Sequence, residues 1–196
     1  MTARARIGRN DGVIAEFAAV LVTLEKCRKW YALGVIVEPP QRFIAAFNRA
    51  GWFKGRSELV DASINPKHPA AAVLAAFGGL RLSIKEGGIS SVGFGPVELN
   101  STEKRWAKWL DSELVGIGDE DEHACLAVDG LGRMFVFSWV HDAAGLVGDD
   151  ITIALLTLLS GARCRPMLGP GQREMSWYGE QIRAGDPALY DWAPPR

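Results

Sequence analysis

The residues of this chain able to move a proton or hold a metal are few: His68, His123 and His141, Cys27, Cys125 and Cys164, and a group of carboxylates near the middle. His123 and Cys125 alternate onto one face of a predicted strand, as the first half of a zinc site would, but no second pair at ligand spacing completes it. Nucleophilic chemistry is no better served. No serine stands in G-x-S-x-G, and spacing places no histidine beside Cys125. His68, directly before Pro69, suits a helix cap, and His141-Asp142 suits a turn after a strand. A hydrolytic enzyme built on His68, His141 and Asp142 stays open as one reading, with no converging set of polar groups behind it. Phosphate-binding glycines are missing too. There is no G-x-x-x-x-G-K-[ST], Gly93 and Gly95 run into Pro96 rather than a helix start, and Gly130 and Gly132 belong to a hairpin. No catalytic residue, metal ligand or cofactor-binding residue is assigned, and no cofactor is expected.

The carboxylates are more informative. Between Glu98 and Glu122 stand eight acidic residues (Glu98, Glu103, Asp111, Glu113, Asp119, Glu120, Asp121, Glu122) against three basic ones (Lys104, Arg105, Lys108), a local balance of −5. Residues 1–30 lean the other way, with six basic against three acidic, or +3. The whole chain of 196 residues carries a formal charge of −1, without the basic field that a nucleic-acid or membrane-surface binder needs, so neither is expected as a direct partner. The run Asp119-Glu-Asp-Glu122, read as a loop before a strand and taken with Glu113, is either ordinary solvated surface or a patch that steers and holds a basic protein partner.

Three widely spaced cysteines without a CxxC pair point to a reducing compartment. The apolar stretch from Phe17 to Leu24 is far short of the roughly 20 residues that span a bilayer. Arg4, Arg6 and Arg9 imitate the start of a signal peptide, but Asp11 and Glu16 interrupt it and no A-x-A site follows. A cytoplasmic protein is the expectation, and 48% apolar with 23% charged residues suits a globular one.

The elements that must position these residues follow from periodicity. Val13, Phe17, Val20, Leu21, Leu24 and Cys27 recur at helical steps between Gly12 and Tyr31. A second helix is predicted over 40–50, stopped by Gly51, and a third from Pro69 to Phe77, ended by Gly78-Gly79. Strands are predicted over 80–84 and, weakened by Gly93, Gly95 and Pro96, over 92–97. Asn100 with Glu103 forms a capping box for a helix whose buried stripe is Trp106, Trp109, Leu110 and Leu114. Cys125–Val128 and Met134–Phe137 flank Asp129-Gly-Leu-Gly132 as a hairpin. Ile151 to Leu159, apolar almost all round, reads as a wholly buried closing helix. From Gly169 onward Gly, Pro and aromatics (Trp177, Tyr178, Tyr190, Trp192) make a tail, either wrapped on the body or flexible. Strands joined by hairpins rather than βαβ units predict an α+β fold with a mainly antiparallel sheet flanked by helices.

Five short stretches, taken in order, resemble the SUKH-3 branch of the SUKH immunity protein superfamily. Ala50-Gly51-Trp52-Phe53-Lys54-Gly55-Arg56 is similar to the family's "aGW…GR", and His68-Pro69-Ala70-Ala71 running to Phe77-Gly78-Gly79-Leu80 is similar to its "hPaA…FGGL". Val115-Gly116-Ile117-Gly118 resembles a "PIG"-like strand, with Gly116 where the family has proline. Asp129-Gly-Leu-Gly132-Arg133 resembles its "D..Gr" hairpin, and Leu146-Val147-Gly148-Asp149 leading into Ala154-Leu155, Leu158-Leu159 and Gly161 resembles "lvGd…AL..Ll.G". The resemblance implies a SUKH-like domain over 41–168, a helical extension over 1–40 and a tail over 169–196. It also implies a bacterial immunity protein of a polymorphic toxin system that binds and neutralises a cognate toxin, often a nuclease. A SUKH-fold interaction or scaffold module without a toxin is the alternative. The motif residues themselves read as scaffold: glycines where a Cβ is forbidden, and Trp52 and Phe77 as buried anchors.

Overall fold

The computed structural model describes residues 37–83, 91–140 and 142–192. The helix expected over 12–31, the extension up to residue 36, the last residue of the strand expected over 80–84, a turn expected from the pair Gly87-Gly88, and His141 lie outside them. The described residues build an antiparallel sheet of seven strands in which each strand pairs with the next: β1 (Arg81–Ser83), β2 (Ser91–Val97), β3 (Leu114–Glu120), β4 (Ala124–Asp129), β5 (Met134–Ser138), β6 (Ala143–Gly148) and β7 (Arg165–Met167). β4 and β6 are buried at every residue because the sheet is covered on both faces. Side chains alternate between two apolar layers, as the period of two requires. Leu126, Val128, Met134, Val136 and Val147 enter one layer, and Cys125, Ala127, Phe135, Phe137 and Leu146 the other. The α+β, mainly antiparallel architecture expected from the hairpins is the one observed.

A 3-10 turn (Gln41–Phe43) leading into α1 (Ile44–Arg49), together with α2 (Pro69–Phe77) and α4 (Ile151–Ser160), supplies the first face. There Phe47, Phe77 and Phe94 stack, with ring centroids 4.9–6.2 Å apart. The second face is covered by α3 (Ser101–Trp109), whose Trp106 packs on Phe137, and by Tyr190 and Trp192 of the chain's end. The capping box at Asn100 is formed as expected. The Asn100 side chain accepts the Thr102 N–H (2.7 Å), and Glu103 Oε2 accepts the Asn100 N–H (2.7 Å).

Several expectations need correction. Leu114 opens β3 rather than closing the stripe of α3, because the chain turns at Asp111 with a left-handed φ of 47°. β6 is a full strand that its glycine and alanine content hides from pattern reading. The strand expected over 92–97 is present as β2 from Ser91 to Val97, with its register shifted between Phe94 and Val97, where Gly95 and Pro96 fall in a bulge and Pro96 owes the ladder no N–H. α4 is neither closing nor wholly buried. It lies across β6, exposes Ile153 and Leu156, and is followed by β7 and by a separate hairpin of β8 (Glu174–Trp177) and β9 (Glu180–Arg183). Its close seat depends on Gly148, where a Cβ would collide with the Ala154 backbone.

The described part of the tail is wrapped on the body. Met175, Trp177 and Ile182 of the hairpin join the first apolar layer, and the chain then passes the edge strand β7, where the Tyr190 N–H donates to the Pro166 carbonyl (2.9 Å). The Trp192 indole N–H donates to the Leu168 carbonyl (2.9 Å), and Tyr190 sits between Arg133 and Arg165. Residues 186–192 thus cover an edge that would otherwise offer open pairing groups.

Candidate functional site

The motif residues occupy structural posts. Arg56 joins the ends of two helices: its Nη2 donates to the Gly78 carbonyl (2.6 Å) just past α2, its Nη1 to the Gly51 carbonyl (3.3 Å) just past α1, and it pairs with Glu58 (2.9 Å). A guanidinium at two helix C-termini satisfies orphan carbonyls and meets the negative ends of both helix dipoles. Gly78 is required there because a Cβ would stand 2.5 Å from the Leu74 carbonyl oxygen. Trp52, Phe77 and Leu80 are core, Gly55 and Gly79 take left-handed turns, and Pro69 is the first residue of α2.

His68 caps α2, accepting the Ala70 N–H at Nδ1 (3.2 Å). That leaves Nε2 as the protonated nitrogen, which donates to the Glu113 carbonyl (3.3 Å) at the start of β3. Asp129 holds the β4–β5 turn. Its Oδ1 accepts the N–H groups of Leu131 (3.0 Å) and Arg133 (2.8 Å), and its Oδ2 accepts Arg133 Nε and Nη2 (both 2.7 Å), while Gly132 takes φ +83°.

The catalytic grouping weighed from sequence does not assemble among the described residues. His68 lies against residue 113, whereas Asp142 lies at the opposite end of the sheet, next to Ala143, and pairs with Arg105 (2.8 Å). His123 sits in a turn, and Cys125 is buried in the second apolar layer. Burial, aided by the charge of Glu103, pushes the Cys125 thiol up to about 12, far from a reactive thiolate.

The acidic run is not a loop. Asp119 and Glu120 are the last residues of β3, and Asp121 and Glu122 are the two central residues of a tight hairpin turn closed by the His123 N–H on the Glu120 carbonyl (2.9 Å). Both have positive φ, 51° and 58°, the type I′ geometry that ordinarily selects Asn-Gly. Each carboxylate then has its own surroundings. Asp119 is bridged by Arg81 (3.0 and 3.2 Å), and Asp121 accepts the Ser91 N–H (2.6 Å). Glu122 is exposed. Glu120 points the other way, into the first face, and is only 7% exposed. Burial first, and the neighbouring Asp121 charge second, raise its pKa. Glu113 is exposed at the far end of β3, about 20 Å off at the rise of a strand, so it does not join the other four.

Glu120 opens on a cleft of about 460 Å³ walled by Ala124, Val136, Ser138, Val140, Trp177 and Tyr178, with Asp121 and His123 at its mouth. Trp177 reaches this place because Gly145, opposite it on β6, lacks the Cβ that would stand 2.7 Å from the indole Cζ2. Nothing local in the sequence ties residue 177 to residue 145. The one available signal is the pair of aromatics before Gly179 in the tail, which marks a hairpin but not where it docks.

Comparison of the chain with curated proteins and with solved structures found no match. The family profile described as SUKH-3 immunity protein matches residues 39–161, from just before the 3-10 turn to the end of α4. The Arg56 brace, the His68 cap and the Asp129 turn all fall inside that stretch, which covers more than half of the sequence: the chain belongs to the SUKH-3 immunity protein family.

Proposed function

We propose that this chain is a cytoplasmic bacterial immunity protein of a polymorphic toxin system that neutralises its cognate toxin by binding and covering it, with no chemistry of its own. Family membership supports immunity to a toxin. The observation that carries the mode of action is the acidic β3–β4 turn, which holds carboxylates at strained left-handed positions beside a cleft. Two non-glycine residues there cost about 1–3 kcal/mol each. In this reading Asp119, Glu120, Asp121 and Glu122 form the docking patch, and Glu113 adds only a peripheral charge beyond the ~8 Å screening length of physiological salt. Where the toxin is a nuclease, its phosphate-binding surface is basic, and these carboxylates compete for it with nucleic acid. The SUKH-like domain (41–168) then supplies the scaffold, and the tail (169–196) supplies part of the docking surface.

Where a toxin-like protein is encoded beside this gene, co-expression with it tests the reading. The wild-type chain should protect the cells, and failure to protect overturns it. In vitro, the Asp121→Lys/Glu122→Lys variant should slow association about tenfold or more at low salt, with the difference shrinking as salt rises. An unchanged association rate at low salt removes the turn from the interface.

A further inference from the structure

Two of the residues that line the cleft beside the acidic turn carry a polar atom whose burial has no explanation within the fold. Glu120 Oε2 and the indole Nε1 of Trp177 are both buried, each on a residue only 7% exposed, and neither finds a hydrogen-bond partner among the described residues. Glu120 Oε1 has one long contact, the Tyr178 hydroxyl donating at 3.5 Å. A buried polar atom left unpaired costs about 1–3 kcal/mol, so two of them on residues that line one cleft mark a site that is completed by something else.

The chemistry of the walls says what completes it. One orphan is a carboxylate oxygen, which accepts, and the other is an indole N–H, which donates. The other lining residues are largely apolar and aromatic, and of these Val140 and Tyr178 are exposed. Asp121 stands at the mouth, and Tyr178 holds its ring there from a left-handed φ of 48°, a conformation unusual for so bulky a residue. A planar cation with several N–H donors and a flexible apolar stem matches the carboxylate, the ring faces and the greasy walls together, and a peptide carbonyl on the same residue matches the indole N–H. A volume of about 460 Å³ accommodates such a side chain with its backbone.

We propose that this cleft is the anchor point of the interface, taking an arginine side chain of the toxin against Glu120 while a backbone carbonyl of the same toxin segment accepts the Trp177 indole N–H. The inference rests on the reading of the chain as a toxin-binding immunity protein and names the partner group that its docking patch grips. Interfaces commonly hang on one such desolvated anchor ringed by near-neutral contacts.

The test uses the full chain labelled with ¹⁵N and two probes, Nα-acetyl-arginine amide and its neutral isostere Nα-acetyl-citrulline amide. The Trp177 indole N–H resonance is assigned by its loss in Trp177→Phe. Titration with the arginine amide should move that resonance saturably, and citrulline amide should bind at least tenfold more weakly. Glu120→Gln, nearly isosteric and free of a buried charge, should stay folded, with its remaining indole resonances in place, and lose at least tenfold in affinity for the arginine amide. No shift of the Trp177 resonance, equal binding of the two probes, or full affinity in Glu120→Gln overturns the proposal. Protection assays separate the two claims. A wild-type chain that protects cells yet ignores the arginine amide sinks only the anchor, whereas a chain that binds the probe but protects against no toxin sinks the immunity reading.

Discussion

Replacing Asp129 by alanine should cost about 3–5 kcal/mol, the loss typical of breaking a buried ion pair by removing one member. The carboxylate is fully buried and accepts four hydrogen bonds, two from backbone N–H groups of the turn and two from the Arg133 guanidinium. Truncation leaves all four donors short at once. Arg133 keeps the Tyr190 hydroxyl (3.2 Å) and some solvent contact, which softens the loss without removing it. For a chain of this size the midpoint of thermal unfolding should fall by about 6–20 °C, at roughly 2–4 °C per kcal/mol. Urea unfolding followed by circular dichroism measures the difference, read as a shift in midpoint at constant slope. Asp129→Asn, which keeps an oxygen for the two backbone donors, should lose about half as much. In a double-mutant cycle, Asp129→Ala with Arg133→Ala should lose clearly less than the sum of the single losses, since the second truncation removes a charge the first has stranded. Asp129 ends the central strand β4 at the end of the sheet opposite the acidic turn, so toxin binding by the folded variant should be unchanged. A loss below about 1 kcal/mol, or strict additivity, would refute the reading of this motif as a structural post.

Three further outcomes follow from the geometry. Because burial raises the Glu120 pKa in the folded chain, the native state binds its proton more tightly than the unfolded chain does; stability is fully present below the ordinary glutamate range and is lost as pH rises through the folded value. Glu120→Gln should therefore gain on wild type as pH rises from about 4, by urea midpoints across the range, and parallel curves would contradict this. Gly145→Ala places a methyl group 2.7 Å from Trp177 Cζ2, and the overpacking should cost about 1–3 kcal/mol while hydrogen exchange speeds up in β8 and β9 ahead of β4. Cys125 and Cys164, with thiols pushed up to about 12 chiefly by burial, should resist a thiol reagent at pH 8 in the native state and react only in denaturant; native labelling of either, by peptide mapping, would contradict their burial.

Much of the fold could be read from the sequence because its signals are local. The Asn100–Glu103 box, Pro69 opening α2, and the Asp129–Gly132 turn each act within four residues, so their chemistry is complete in a short window. The order of five motifs sufficed for the family for a related reason: four of them are turns or helix ends with their own requirement for glycine, proline or a cap, and only Val115–Gly118 lies within a strand. Where elements answer to distant neighbours, local pattern misleads. β6 is Ala-Ala-Gly-Leu-Val-Gly, weak strand material, and it is a strand because Phe135 to Ser138 on one side and Arg165 to Met167 on the other give it a ladder on both edges. Ile151–Ser160 looks buried all round, yet a helix lying on a sheet has an outer side, and Ile153 and Leu156 occupy it.

The site divides along the same line. Composition and spacing alone determined that the chain lacks a recognisable catalytic motif and concentrates carboxylates near residue 120. Only the tertiary structure decided that those four carboxylates are not equivalent: Arg81 neutralises one, the Ser91 N–H engages another, Glu122 stays in water, and Glu120 turns inward to face Trp177 across a cleft. The physical reason is the strand's period of two, which sends neighbouring side chains to opposite faces, combined with a gap at Gly145 that only a residue from the chain's far end fills.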